Sequence, residues 1–174
     1  SKWDTSKVTD MKDMFKGATS ATPNTTGWKT GNVIDMGSMF EEAILANPDT
    51  SKWDTSKVTD MKDMFYNAEL AEPDTSDWNT SNVTDMNYMF GYAIKANPDT
   101  SGWDLSMVND IYDIFYDSDL SDINYELFLI MADETVGQDD LDLGDIPAAP
   151  SQIAIEKKDS LINDHNWTII DEEP

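Results

Sequence analysis

The sequence repeats itself every 25 residues, and this period limits the fold more than any other feature of the chain. We number positions within each copy from its first residue, so that a tryptophan occupies position 3 and a phenylalanine position 15. The tryptophans are Trp3, Trp28, Trp53, Trp78 and Trp103, and the phenylalanines are Phe15, Phe40, Phe65, Phe90 and Phe115. Self-similarity at this period predicts a stack of like coils, in which neighbouring coils complete one another's core.

Positions 10 to 18 of each copy have the spacing of a short helix. In the first copy Met11, Met14, Phe15 and Ala18 lie at i, i+3, i+4 and i+7, which would place them on one helical face. Asp10 directly precedes this face. It is therefore predicted to cap the helix, as are its equivalents in the other copies, and cation binding by this row is the alternative.

Residues 48–53, with the sequence PDTSKW, are extended in character and form the candidate strand of the copy. Stacked coils would align such strands into a parallel sheet with neighbours about 4.8 Å apart. The predicted fold class is an α/β solenoid whose coils each contribute a short parallel strand and a short helix. Residues 1–115 would form a five-coil repeat solenoid, and residues 116–174 a C-terminal capping region.

The motif itself resembles a known family. Residues 53–65, WDTSKVTDMKDMF, followed by Ala68 and a Pro-Asp pair, are similar to the BspA-type leucine-rich repeat of bacterial surface proteins, in its 26-residue-repeat branch. Residues 124–136, 141–146 and 159–171 resemble the helix, the strand and the closing helix and strand of that family's C-terminal cap. The resemblance implies a leucine-rich-repeat-like stack with an α/β cap, in a secreted or surface-exposed protein concerned with adhesion. It implies no enzymatic activity.

The charge of the chain excludes several classes of partner. Asp and Glu number 35 against 11 Lys and Arg, which gives a formal net charge of −24. Nucleic acids need a basic patch, and anionic membrane surfaces would repel this chain. No apolar run approaches the ~20 residues of a membrane helix, so no membrane insertion is expected of this segment. The chain has no Cys, which excludes disulfides and thiolate metal sites.

The predicted binding face is a polar row at the candidate strand, one triplet from each of three copies. Its residues are Asp49, Thr50, Ser51, Asp74, Thr75, Ser76, Asp99, Thr100 and Ser101. Such an array would preorganise carboxylates and hydroxyls on a rigid surface. No cofactor or resident metal is expected, and the alternative is a Ca²⁺ ion that relieves repulsion among Asp49, Asp74 and Asp99.

The aromatic rows are predicted to be structural. A tryptophan at one fixed place in every coil is more often a packing residue than a glycan platform, and the same holds for phenylalanine. The structural residues predicted in this way are Trp28, Trp53, Trp78, Trp103, Phe40, Phe65 and Phe90.

The function predicted from these features is non-catalytic binding outside the cell or at its surface. The partner would be a protein or glycan on another cell or in the matrix. No phosphate loop, zinc motif or nucleophile elbow appears, and the single histidine, His165, is expected to be a surface residue. One alternative is a structural protein that assembles head to tail, since the edge of the first coil could pair with another copy or with further repeats. Another is a calcium-stabilised, ice-binding or glycan-binding segment of a large adhesin.

Overall fold

The computed structural model describes residues 3–146 and 151–171. Its helices and strands follow one another as helix α1 (Asp122–Thr135), strand β1 (Asp142–Ile146), helix α2 (Gln152–His165) and strand β2 (Thr168–Asp171). β1 and β2 pair in parallel, and α1 contacts α2. This is the order of helix and strand that the resemblance implies for the C-terminal region. In the described ranges, no helix has the length and apolar character needed to cross a membrane.

Local signals in the sequence set the ends of both helices. Ser121 caps α1 by accepting a hydrogen bond from the backbone N–H of Asn124, and Ser151 caps α2 in the same way through Ala154. α2 ends at His165, and its C-cap residue Asn166 has a left-handed backbone with φ 57°. Asparagine tolerates this conformation better than most residues, so an asparagine at this position favours the end of the helix here.

Successive 25-residue copies lie on one another and are joined by a backbone ladder. The N–H groups at positions 11, 13, 15 and 17 donate to carbonyls of the following copy. Between the third and fourth copies the bonds run from Met61 to Asp85, Asp63 to Asn87, Phe65 to Met89 and Asn67 to Gly91, at 2.8–3.0 Å. The aspartates at position 10 form single parallel bridges along the stack. These bonds satisfy backbone groups that would otherwise be buried without partners.

The ladder segment is not the short helix that its spacing predicts. All residues at positions 13 and 17, including Gly17, have a left-handed backbone, which interrupts a helix every four residues. The non-glycine residues of this kind are Asp13, Ser38, Asp63, Tyr88 and Asp113 at position 13, and Glu42, Asn67, Tyr92 and Asp117 at position 17. The chain therefore turns two side chains inward and two outward, and this alternation buries the same positions as a helical face would.

The predicted strand at residues 48–53 is a turn. The backbone N–H of Trp53 donates to the carbonyl of Thr50 at 3.0 Å, and the Thr50 hydroxyl donates to the carbonyl of Asp74 in the next copy at 2.7 Å. The following residues repeat the device, since the Thr55 hydroxyl donates to the carbonyl of Asn79 at 2.9 Å. Threonine hydroxyls thus join the copies on this side, where a strand would have used backbone N–H groups.

The core is a set of stacked rows of identical side chains. Consecutive phenylalanine rings from Phe15 to Phe115 lie 5.3–5.9 Å apart and within 9° of parallel. Trp28, Trp53 and Trp78 stack at 6.2 and 6.4 Å. The residues assigned to packing by the sequence, Trp28, Trp53, Trp78, Trp103, Phe40, Phe65 and Phe90, are all buried. Apolar burial of this extent is the main favourable term that holds the copies together.

The two ends of the stack differ. At the fifth copy, the N–H of Asp113 donates to the carbonyl of Leu143, and Gly144 of β1 lies so close to the Asp113 carboxylate that a Cβ atom would collide with it. The Phe128 ring of α1 covers Phe115 edge to face at 5.1 Å. At the first copy, by contrast, Trp3 is 61% exposed although it stacks on Trp28. The described cap therefore closes one end of the core.

The named fold class, an α/β solenoid with leucine-rich-repeat-like coils, stays a prediction. The copies stack, but within residues 3–115 neither the helix nor the continuous strand that define such a coil is present. The predicted division at residue 115 also stays a prediction, because β1 continues the contacts of the fifth copy.

We expect Phe65→Ala to lower the free energy of unfolding by about 3–5 kcal/mol, because loss of the large ring would leave a cavity between the phenylalanine rings of the two neighbouring copies. Phe15→Ala is the matched control. Its ring is only partly buried, so we expect a loss of about 1–2 kcal/mol. Urea denaturation followed by circular dichroism measures both. Equal losses would contradict the assignment of Phe65 to a closed core.

Candidate binding surfaces

The acidic and serine residues of the predicted binding face are at the surface, where they form a series of turns. The Asp49 carboxylate accepts hydrogen bonds from the backbone N–H of Ser51 at 3.2 Å and from its hydroxyl at 2.7 Å. The pairs Asp74–Ser76 and Asp99–Ser101 are built in the same way. Aspartate commonly bonds the backbone two residues on, so these carboxylates already shape the turn.

The threonines of the predicted face are not available to a ligand. Thr50, Thr75 and Thr100 are buried, and the hydroxyls of the first two donate to the carbonyls of Asp74 and Asp99, both at 2.7 Å. A buried carbonyl needs a donor, and threonine supplies one without filling the space of a larger side chain. The predicted face thus divides into an outer Asp and Ser row and an inner Thr row that holds the copies together.

The calcium hypothesis for Asp49, Asp74 and Asp99 gains no support from the structure. Throughout the described part of the chain, no group of three or more acidic or histidine side chains has an arrangement that could hold a metal ion. Hydrogen bonds from the serine hydroxyls, and then from the serine N–H groups, lower the pKa of Asp49 and of Asp99. His165 ends α2, half-buried, with its Nδ1 3.0 Å from an Asp139 oxygen.

The aspartates at position 10 also form turns and are not helix caps. Asp10 and Asp60 each accept the N–H two residues on, at 2.9 Å, and Asp85 accepts that of Asn87 at 3.0 Å. Burial raises the pKa of Asp85, and the backbone hydrogen bond from Asn87 opposes this, while the neighbouring Asp110 and Asp60 add to the rise. At Asp85, burial and the neighbouring carboxylates therefore make ionisation less favourable.

A surface that the sequence analysis did not identify lies on the outward side of the ladder. Five tyrosines from the third to fifth copies form one edge-to-face cluster, which we call the tyrosine face. Its ring pairs are Tyr66–Tyr88, Tyr66–Tyr92, Tyr88–Tyr112 and Tyr92–Tyr116, with centroids 5.1–5.6 Å apart and planes at 74–87°. Tyr112 is 39% exposed, and the other four rings are half-buried. Such a surface combines large apolar area with hydroxyl groups.

Two members of the tyrosine face adopt an unfavourable backbone conformation. Tyr88 has φ 51° and Tyr92 has φ 57°, in the left-handed region that bulky residues rarely enter. The same positions in other copies hold smaller residues, such as Ser38 and Asn67. A left-handed residue costs about 1–3 kcal/mol, so the stack accepts a cost at these two tyrosines.

Carboxylates surround the tyrosine face. Glu41 and Asp63 line the depression beside Tyr66 and Tyr88, together with Lys62 and Asn87. A hydrogen bond with Asp113, together with burial, raises the pKa of Tyr88 well above its usual value, and the negative charge of Asp113 raises that of Tyr112. The pKa of Tyr66 is raised first by burial. These phenols therefore stay neutral at physiological pH in a negative field.

One signal in the sequence could have indicated this surface. Five of the six tyrosines occupy positions 12, 13, 16 and 17, the outward positions of the ladder, in three consecutive copies. On a short helix these positions would also share the outward face, opposite the buried positions, so their spacing alone indicates that the rings lie together.

Comparison with known proteins identifies a family whose function is unknown. The family model described as Mycoplasma protein of unknown function, DUF285, matches residues 1–74 and again residues 45–130. Neither the curated proteins nor the solved structures contain a match to this chain.

We expect Asp85→Asn to stabilise the protein at pH 7, by about 0.5 kcal/mol because solvent screens a half-buried charge. The folded-state pKa of Asp85 is raised, so the ionised carboxylate weakens the fold at neutral pH. As the pH falls through that pKa toward 3.8, the ordinary pKa of an aspartate, the wild type should lose this disadvantage.

Asp49→Asn is the control for this prediction, because the folded-state pKa of Asp49 is lowered. Asp49 therefore stabilises the fold above pH 3.8 and loses that effect as the pH falls through its folded pKa, so its substitution should destabilise at pH 7. Urea midpoints between pH 7 and about pH 3 measure both effects, because the Asp49 effect is lost only below pH 3.8. Shifts of the same sign would show that general charge reduction, and not local environment, determines stability.

Proposed function

This chain belongs to the family described as Mycoplasma protein of unknown function, DUF285, and we propose that it is a non-catalytic binding module at the cell surface. The proposed contact is the tyrosine face, in place of the Asp, Thr and Ser array. The finer assignment, a BspA-type leucine-rich-repeat solenoid with a role in adhesion, is part of the same proposal. It is supported by the repeat motif, and the surface location is supported by the resemblance to bacterial surface proteins.

The single observation that carries the proposal is the presence of bulky rings at Tyr88 and Tyr92, on left-handed backbone, within an aromatic cluster that is half-buried and at Tyr112 exposed. The left-handed backbone belongs to these positions in every copy, so the unusual feature is the choice of tyrosine there, which a binding role would explain. Tyrosine gives a large contact area with few rotatable bonds, so little entropy is lost when a partner is bound. A rigid stack of coils also holds the rings in position before binding.

A binding role also suits the rest of the described surface. The depressions among these residues are shallow and open, and the largest groups of carboxylates are spread along rows where they shape turns. A binding module needs a presented surface and no enclosed site. The partner in this proposal is a protein or glycan on another cell or in the matrix.

The proposal predicts that a double variant, Tyr88→Ser with Tyr92→Asn, loses capture of its partner. Other copies already have serine and asparagine at these two positions, as Ser38 and Asn67, so the backbone should accept both substitutions. We expect at least about a tenfold loss, since two aromatic contacts of about 1 kcal/mol each would disappear. The measurement is binding of the labelled protein to a glycan array and to immobilised matrix proteins.

The matched control is the triple variant Asp49→Asn, Asp74→Asn and Asp99→Asn, which changes the face proposed from sequence. It should retain binding to within about twofold, because its carboxylates shape turns that asparagine can also form. Loss of capture in the triple variant, with the tyrosine variant unaffected, would assign binding to the original face.

A second candidate role is head-to-tail pairing with another coil, and the exposed side of the first copy supports it. In every later copy the carbonyl at position 10 accepts an N–H from the copy before it, and Val33 and Phe40 are fully buried where Val8 and Phe15 are only partly buried. This side thus fits one kind of neighbour, another 25-residue coil that offers N–H groups. The opposite end is covered by β1 and α1 in the described residues, which disfavours unlimited head-to-tail assembly.

This second role predicts that an added coil will stabilise the chain. Residues 1–15 repeat residues 51–65, so a copy of residues 26–50 placed before Ser1 recreates a junction that the protein already contains. We expect a higher urea midpoint, because nearest-neighbour contacts add along a stack. A scrambled sequence of the same 25 residues is the control. If both extensions gave the same midpoint, the exposed side would have no preference for a like coil.

A further inference from the structure

We propose that the tyrosine face binds an extended peptide segment rich in arginine or lysine. This inference rests on the proposed function, because it names the partner of the same surface. It follows from three properties of that surface: the arrangement of the rings, the sign of the surrounding charge and the spacing of the copies.

The arrangement of the rings suits a cation. Adjacent rings meet nearly at right angles, so the edge of one ring packs on the face of the next, and Tyr112 is the ring with the largest remaining exposed surface. The face of an aromatic ring attracts an ammonium or guanidinium group. A planar guanidinium can in addition stack on the ring, which favours arginine over lysine.

The charge around the rings selects the same partner. Tyr66 and Tyr88 share their depression with Glu41 and Asp63, and Lys62 is the single cation among the residues that line it. Lys16, on the neighbouring surface, is engaged by a Glu41 oxygen at 2.7 Å. Asp113 is hydrogen-bonded to Tyr88, and its negative charge also acts on Tyr112, together with those of Asp142 and Asp145. The two lysines offset the charges of the depression, so the negative charge that remains lies toward Tyr112, where a basic segment would gain both charge attraction and ring contacts.

The dimensions of the face indicate the length of the segment. The rings come from three copies, and neighbours joined by backbone hydrogen bonds lie about 4.8 Å apart, so the face extends roughly 10 Å along the stack. An extended peptide advances about 3.3 Å per residue, and alternate side chains point to the same side. About four residues would cover the face, with two basic side chains directed at the rings.

The test uses a fluorescein-labelled peptide of about five residues in which arginine and serine alternate, with fluorescence polarisation as the readout. A peptide with citrulline in place of arginine keeps the shape and removes the charge. We expect the arginine peptide to bind at least about tenfold more tightly than the citrulline peptide. Its affinity should fall between about 50 and about 500 mM salt, because exposed charges are screened.

Non-specific attraction to a chain of charge −24 is separated from this site by two variants. The Tyr88→Ser, Tyr92→Asn protein keeps the net charge and should lose about tenfold in affinity for the arginine peptide. The Asp49→Asn, Asp74→Asn, Asp99→Asn protein loses three charges elsewhere and should lose less than about twofold. If the second variant lost as much as the first, the peptide would be a counterion of the whole surface, and the inference would be wrong.

The outcome also separates this inference from the proposed function. Glycan or matrix capture that requires Tyr88 and Tyr92, without arginine-peptide binding, would retain the tyrosine face and replace its partner. Peptide binding that depends on both tyrosines would support the face and the partner together. Absence of any dependence on the two tyrosines, in capture and in peptide binding, would overturn both.

Discussion

The structure depends on one register, in which N–H groups of each copy reach carbonyls about one period further along the chain. Once this register is set, every position of the repeat must lie on its own equivalent in the next copy. Flat rings tolerate this well, since parallel phenylalanines at 5.3–5.9 Å fill the space between copies. Carboxylates tolerate it less well, and burial among like charges raises the pKa of Asp85. The same register therefore stabilises the aromatic core and makes ionisation of Asp85 in the acidic row less favourable.

The burial pattern of the core could be predicted from the sequence, but the backbone that produces it could not. Met61, Met64, Phe65 and Ala68 are buried as their spacing indicates. A helix and a chain with two left-handed residues per copy bury the same four positions, and periodicity cannot distinguish them. A helix would satisfy its backbone entirely within the copy. Here alternate N–H groups donate within the copy, as Met64 does to Met61, and the others donate to the next copy, as Phe65 does to Met89. Contacts between copies therefore decide between the helix and the ladder, and the local sequence of one copy does not show those contacts.

The candidate site was harder to predict for a related reason. Thr50 resembles a solvent-exposed strand residue in sequence, yet its hydroxyl is the donor that a neighbouring buried carbonyl requires. The composition of the row gave no sign of which side faced inward. The tyrosines were overlooked because they depart from the repeat, and a comparison of equivalent positions treats departures as variation. Positions 12, 13, 16 and 17 share the outward face on a helix as well as on the ladder, so their spacing predicts the surface, and the ladder adds the edge-to-face geometry of the rings.

A stack of this kind separates the residues that fold from the residues that bind. Inward positions are fixed by the register, so a change there propagates to both neighbours. Outward positions contact few neighbours and can differ from copy to copy at little cost. Positions 13 and 17 are an exception, because their left-handed backbone favours small or polar residues such as Ser38 and Asn67. Tyrosine at these positions runs against that preference. Tyr88 and Tyr92 also join the edge-to-face cluster on the outward side of the described ladder, so contacts between the rings offset part of the backbone cost, and the binding role proposed for this surface would account for the rest.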